Sequence, residues 1–222
     1  MFEYAFFDLD GTLTDPSLGI TNSIMHALRR MGKPVPPRKE LYRFIGPPLI
    51  PAFEEFLGMT RAEASMALEY YREYFGVTGL FENTVYDGIA EMLCTLADSG
   101  VKNVLATSKP EEYAAQILEH FSLDKYFIGI YGATMDEKRV AKADVISYGI
   151  ETLTDKLGVQ AEQIKSHGVM IGDRRHDIEG GAKCGLSTVG VLWGFGSREE
   201  LMTAGAERIA PDIPTLTEII LG

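Results

Sequence analysis

Residues 4–14 read YAFFDLDGTLT, and this stretch decides the fold. It begins as an unbroken apolar run, which is typical of a strand buried on both faces of a parallel sheet. Asp8 and Asp10 follow directly, and Gly11 then allows the backbone to turn closely. The stretch therefore predicts a buried strand that carries two carboxylates to the carboxyl edge of a sheet.

Similar apolar runs recur along the chain and alternate with stretches of helical periodicity. They lie at residues 103–106, 127–131, 169–171 and 188–192. Strands that alternate with helices indicate a parallel sheet with right-handed crossover connections. We therefore predict the α/β class.

Residues 15–83 differ from the rest of the chain because they contain no such run. They are predicted to form helices, interrupted at Pro34, Pro36 and Pro37. An insertion after the carboxyl end of a strand lies over the place where open α/β sheets bind ligands. We therefore expect a catalytic core formed by residues 1–14 and 84–222 and an α-helical cap domain at residues 15–83.

Composition limits the classes of partner and the cellular location. The net charge of −11 over 222 residues argues against nucleic acid. No apolar run approaches the roughly 18 residues that a membrane-spanning helix needs, so no membrane partner is expected. Cys94 and Cys184 are too far apart to suggest a disulfide framework, and free cysteines favour the cytoplasm. Both a monomer and a homodimer fit the sequence.

Several strand runs end in polar, reactive side chains. Because the carboxyl ends of parallel strands meet at one edge of the sheet, these side chains should converge there. Besides the two aspartates after the first run, the candidates are Thr107, Ser108, Lys109, Lys138, Lys142, Asp173 and Asp177.

Carboxylates gathered in this way repel one another by about 4 kcal/mol per pair at roughly 4 Å and an effective dielectric constant near 20. A cation with oxygen ligands relieves this repulsion, and Mg²⁺ is the usual choice. Thr107 and Ser108 can donate hydrogen bonds to phosphate oxygens, while a lysine balances their charge. On a regular strand Asp8 and Asp10 would share one face, so one can act as a nucleophile and the other as an acid and base.

Together these motifs resemble those of the haloacid dehalogenase superfamily. Residues 8–13, DLDGTL, are similar to its first motif, and Thr107 is similar to the hydroxyl of its second. Lys142, within AKADVI, resembles the lysine of its third motif. Residues 172–177 resemble the fourth, GDxxxD. The four motifs occur in the family's order and span most of the chain.

The resemblance implies a Rossmann-like core, a helical cap and a role for each motif residue. It implies that Asp8 is the nucleophile and Asp10 the general acid and base. It also implies that Mg²⁺ is held by Asp8, the Asp10 backbone carbonyl and Asp173, with Asp177 in support. Lys142 would bind the phosphate of a small phosphorylated metabolite, with Lys138 as the competing candidate.

Within this superfamily the chain most resembles the phosphoglycolate phosphatase branch, through residues 12–15 and 44–49. It departs from that branch at Ser108, where asparagine is common, and before Lys142, where a Lys-Pro-x-Pro pattern is usual. The alternatives are a 5′-nucleotidase acting on nucleoside monophosphates and a sugar phosphomutase. Outside the enzymes, a phosphoacceptor switch uses similar residues, but switch domains are shorter and lack an inserted helical block.

Overall fold

The computed structural model describes residues 1–222. Its strands, in chain order, are β1 Tyr4–Phe7, β2 Thr14–Asp15, β3 Thr84–Val85, β4 Lys102–Pro110, β5 Phe127–Ala133, β6 Gly168–Gly172, β7 Ser187–Val191 and β8 Arg208–Ala210. Its helices are α1 Ser17–Arg30, α2 Arg38–Leu41, α3 Leu49–Leu57, α4 Arg61–Tyr74, α5 Ile89–Asp98, α6 Glu111–His120, α7 Lys142–Leu157, α8 Ala161–Ser166, α9 Arg175–Lys183, α10 Arg198–Thr203 and α11 Ile213–Leu221.

The chain divides into two compact units. One consists of Met1–Thr14 and Val85–Gly222, and the other is the inserted segment Asp15–Thr84. The short strands β2 and β3 lie at the two points where the chain passes from one unit to the other.

The larger unit contains a six-stranded sheet in the order β5-β4-β1-β6-β7-β8, and every neighbouring pair is parallel. This confirms the predicted α/β fold with a Rossmann-like parallel core. The edge strand β8 was not predicted, because its three residues begin with an exposed arginine and give too short an apolar run.

The central strand β1 owes its position to its unbroken apolar sequence. All four of its residues are buried, and Phe6 lies in register with Val104 of β4 and Met170 of β6. Tyr4 and Phe6 pack into a buried cluster on one face of the sheet, together with side chains from α7. A strand with apolar residues facing both ways fits only inside such a sheet.

The order of the strands creates a switch point at β1. After β1 the chain builds β4 and β5 on one side, and it then returns to build β6, β7 and β8 on the other. In open α/β sheets, the crevice at the carboxyl ends beside such a switch is where ligands bind. The carboxyl ends of β1, β4 and β6 therefore border the expected ligand-binding site.

The inserted unit is built from α1 to α4. Gly58 ends α3 with a left-handed backbone at φ 64°, which glycine adopts without steric cost. Thr60 and Glu63 form a capping box that begins α4. The ring of Tyr71 stacks on that of Phe75 at 5.1 Å, and both side chains are buried. The insertion therefore has an apolar interior of its own.

No helix combines the length and the apolar character that crossing a lipid bilayer requires.

Truncation of Phe6 tests the importance of the central strand. Because Phe6 is fully buried, Phe6→Ala should lower the free energy of unfolding by about 3–5 kcal/mol. Urea denaturation followed by circular dichroism measures the change. Met202→Ala is the control in the same unit, because Met202 is 54% exposed and its loss should cost only about 0.5 kcal/mol. Equal effects of the two changes would contradict this account of the core.

Candidate active site

Three buried carboxylates meet at the switch point. Asp8 follows β1, Asp173 follows β6, and Asp177 lies in the first turn of α9. Each offers an oxygen within 4.8 Å of the others. Their exposures are only 4%, 0% and 1%. Asp8 lies 165 positions before Asp173 and 169 positions before Asp177 in the sequence, and the fold brings all three together.

Lys142, the first residue of α7, places its ammonium group among these carboxylates. Its Nζ donates to Asp8 Oδ1 at 2.7 Å and to the carbonyl oxygen of Ala106 at 2.9 Å, and it pairs with Asp177 Oδ1 at 2.8 Å. An ammonium group has three donors, so these three contacts use all of them. Burial alone would lower the pKa of Lys142, but attraction to Asp177 and Asp8 raises it above its ordinary value.

The two oxygens of Asp173 differ in their surroundings. The backbone amide of Phe195 donates to Oδ2 at 2.7 Å, whereas Oδ1 is buried with no hydrogen-bond partner. Burial, and then repulsion by Asp177 and Asp8, raises the pKa of Asp173 well above its ordinary value. A buried carboxylate oxygen without a partner, beside two further carboxylates and one lysine, suits a hard divalent cation such as Mg²⁺.

A loop after β7 surrounds Asp173 closely. A Cβ atom on Gly194 would lie 2.4 Å from Asp173 Oδ2, and one on Gly11 would lie 2.3 Å from it. The indole Nε1 of Trp193 donates to the carbonyl oxygen of Thr12 at 3.0 Å, which ties the loop to the segment after β1. We did not predict this loop, although the alternation of aromatic and glycine residues at 193–196 was the available signal.

Asp10 occupies different surroundings from Asp8. The expectation that both share one strand face does not hold, because β1 ends at Phe7 and Gly11 turns the chain at φ 86°. The carboxylate of Asp10 pairs with Lys109 instead, with Nζ donating to Oδ1 at 2.7 Å. Burial raises the pKa of Asp10, while the charge of Lys109 opposes that rise. The sequence pattern places Lys109 at the end of a strand run but does not indicate a role for it.

The remaining predicted site residues differ in their burial and in their contacts. Thr107 is buried, and its Oγ1 accepts a hydrogen bond from the Lys109 amide at 3.2 Å, while Ser108 beside it is half-buried. The side chain of Lys138 is 84% exposed and pairs with Asp136. Of the two competing lysines, the structure therefore places Lys142, and not Lys138, among the carboxylates.

Comparison with known families gives one match over most of the chain. Residues 5–191 match the family described as haloacid dehalogenase-like hydrolase. A solved structure, described as a predicted phosphatase from Clostridium acetobutylicum, is 42% identical, with a TM-score of 0.92 over 100% of this chain and 99% of that one.

The relatives carry several different names. A 5′-nucleotidase from Pseudomonas aeruginosa is 43% identical over 96% of this chain and 93% of its own length. A protein named tyrosine-protein kinase PtkA, from Mycobacterium tuberculosis, is 35% identical over 98% of this chain and 71% of its own length. A phosphoglycolate phosphatase from Vibrio parahaemolyticus is 22% identical over 96% of this chain and 94% of its own length.

Replacing Asp173 should stabilise the metal-free protein. Its raised folded-state pKa means that stability is present in acid and is lost as the pH rises through that pKa. At pH 8 in EDTA, Asp173→Asn should therefore raise the melting temperature, by about 2–4 °C per kcal/mol of relieved repulsion. Addition of Mg²⁺ should raise the melting temperature of the wild type but not that of the variant.

The control for this prediction is Asp155→Asn on the exposed face of α7. It should change neither the melting temperature nor the response to Mg²⁺. An equal Mg²⁺-induced rise in the Asp173 variant would contradict the assignment of the cation site.

Proposed function

Because the chain belongs to the haloacid dehalogenase-like hydrolase family, we propose that it is a phosphatase that hydrolyses a small phosphate monoester. One observation carries this proposal. Asp8 lies buried at the end of the central strand, bound to Lys142 and within 4.8 Å of the oxygens of Asp173 and Asp177. A carboxylate in such a setting is suited to attack a phosphoryl group whose charge the surrounding groups balance.

Asp8 is the proposed nucleophile. One of its oxygens attacks the phosphorus, the bond from phosphorus to the ester oxygen breaks, and an aspartyl-phosphate forms. Water then attacks the same phosphorus, the bond to Asp8 breaks, and inorganic phosphate leaves with Asp8 regenerated. The net change is one water consumed and one alcohol and one phosphate released.

Asp10 is the proposed acid and base in these two steps. In the first, its carboxyl group gives a proton to the departing ester oxygen, which leaves as an alcohol. In the second, the resulting carboxylate accepts a proton from the attacking water. General acid and base catalysis of this kind contributes typically 10²–10⁴-fold to the rate.

Three further side chains are proposed to bind the phosphate. Thr107 and Ser108 lie at the carboxyl end of β4, where hydroxyl groups can donate hydrogen bonds to phosphoryl oxygens. Lys142 supplies the positive charge, since its ammonium group already lies against the proposed nucleophile.

Mg²⁺ is the proposed cofactor, held by Asp8, the Asp10 backbone carbonyl and Asp173. The partner-free Oδ1 of Asp173 supports this set. Both oxygens of Asp177 already have partners, Lys142 and the Arg174 amide, which suits a supporting role. When bound, the ion would withdraw charge from the phosphoryl group during the reaction.

The assignment of residues 1–14 and 84–222 as the catalytic core and residues 15–83 as a cap remains a proposal. It rests on chain order, because the insertion begins directly after the segment that carries Asp8 and Asp10. A cytoplasmic location and a monomeric or homodimeric state also remain predictions.

Nucleoside 5′-monophosphates are the substrate class that we place first. The relative named 5′-nucleotidase is 43% identical to this chain, whereas the one named phosphoglycolate phosphatase is 22% identical. Ser108, which stands where phosphoglycolate phosphatases commonly have asparagine, is consistent with this order. Phosphoglycolate is the second candidate.

Other phosphoryl-transfer activities are separated by the fate of the phosphoryl group. A sugar phosphomutase retains it on the product, a phosphoacceptor switch keeps it on the protein, and a kinase moves it to another acceptor. Transfer to another acceptor is considered because one relative is named as a tyrosine kinase. Net release of inorganic phosphate identifies the phosphatase.

A phosphate-release screen with Mg²⁺ tests the proposed activity. It should include nucleoside monophosphates, phosphoglycolate, sugar phosphates, pyrophosphate and ATP. Asp8→Asn should lower kcat by about 10⁴-fold or more, because the amide is a poor nucleophile. Asp124→Asn on the exposed surface is the control and should retain full activity. Comparable turnover by the Asp8 variant would refute its role.

Removal of divalent cations tests the cofactor. EDTA should stop phosphate release, and an excess of Mg²⁺ should restore it, because the buried carboxylates otherwise repel the phosphoryl group. Activity measured after dialysis against chelator gives the result. A rate that is unchanged by chelation would exclude the metal.

A further inference from the structure

We propose that Lys109 is a positioning residue that holds the Asp10 carboxyl group in place for proton transfer. The inference rests on the proposed function, because it assigns a role to a residue beside the proposed acid and base. Its basis is the buried contact between Lys109 Nζ and Asp10 Oδ1 at 2.7 Å, with the two side chains 5% and 10% exposed.

Lys142 cannot pair with both Asp8 and Asp10. Its three donors are used by Asp8, Ala106 and Asp177. Asp10 therefore needs a second cation to be buried beside Asp8, since an unpaired buried carboxylate is costly. Lys109 is that cation, and the site divides its two lysines between its two catalytic aspartates.

Asp10 lies beyond the end of β1, in the turn made by Gly11, so the sheet ladder does not fix its side chain. Lys109 lies near the end of β4, the strand that pairs with β1, and its amide is bonded to Thr107. The lysine thus anchors Asp10 from a neighbouring strand.

The contact between Lys109 and Asp10 is compatible with both halves of the reaction. Lys109 occupies Oδ1, and that oxygen can accept its hydrogen bond whether or not a proton sits on Oδ2. Oδ2 is therefore the oxygen that we assign to proton exchange with the ester oxygen and later with the water. A single fixed orientation of Asp10 then serves both steps.

The test compares Lys109→Met with the wild type on two esters. With an alkyl phosphate, kcat should fall by about 10²-fold, while KM stays within about threefold of the wild-type value. With p-nitrophenyl phosphate, whose leaving group needs no proton, about one nitrophenolate per active site should appear in a rapid burst, followed by slow turnover. A purely structural defect would not spare the first step of one substrate. Lys102→Met, at the other end of β4, is the matched control and should behave as the wild type.

A double-mutant cycle keeps the test decisive if Lys109→Met folds poorly. Asp10→Asn with Lys109→Met removes both charges of this pair, and its kcat should equal that of Asp10→Asn alone if Lys109 contributes to the reaction through Asp10. Lys109→Arg should recover kcat to within about tenfold of the wild type, since the cation is restored.

Two results would overturn the inference while leaving the proposed function intact. One is an unchanged kcat in Lys109→Met. The other is a double variant well below Asp10→Asn, which would mean that Lys109 acts independently of Asp10. A wild-type protein that releases no phosphate from any ester would instead refute the proposed function, and this inference with it.

Discussion

The site depends on one ammonium group that three oxygens share. Lys142 reaches in from the start of α7 and meets oxygens of Asp8, Asp177 and Ala106 at 2.7–2.9 Å. Asp8 follows β1, Asp177 belongs to α9 and Ala106 belongs to β4. Lys142 therefore connects α7 with three elements that are distant from one another in sequence. The cluster of Asp8, Asp173 and Asp177 holds three carboxyl groups against this one ammonium group, and such an excess of carboxylates would favour binding of a cation.

The sheet topology explains why these residues meet. Because the strand order reverses at β1, its two neighbours β4 and β6 leave a crevice between their following segments. Asp8, Thr107 and Asp173 each come directly after, or at the end of, one of these three strands. Gly11 and Gly194 then allow the backbone to close around Asp173, where any larger side chain would collide with its carboxylate.

The features that could be predicted from sequence are those fixed by local pattern. The apolar run at Tyr4–Phe7 made β1 a buried strand, and the reactive residues that follow the other runs indicated one shared edge. The contact between Lys109 and Asp10 could not be derived in this way, because it depends on how far a long side chain reaches across from a neighbouring strand. The partner-free oxygen of Asp173 depends on the loop at 193–196, whose path follows from tertiary packing. The strand β8 gave too short a pattern to detect.

The loop around Asp173 also gives the protein an optical property. Trp193 is the single tryptophan of the chain, and its indole is hydrogen-bonded to the carbonyl oxygen of Thr12. Thr12 directly follows Gly11, which lies against Asp173. Ultraviolet light of a longer wavelength than tyrosine absorbs therefore excites only the indole of Trp193, whose position is known. Its emission spectrum and lifetime report on the backbone beside the carboxylate cluster without any label, in a molecule whose other aromatic side chains are phenylalanine and tyrosine.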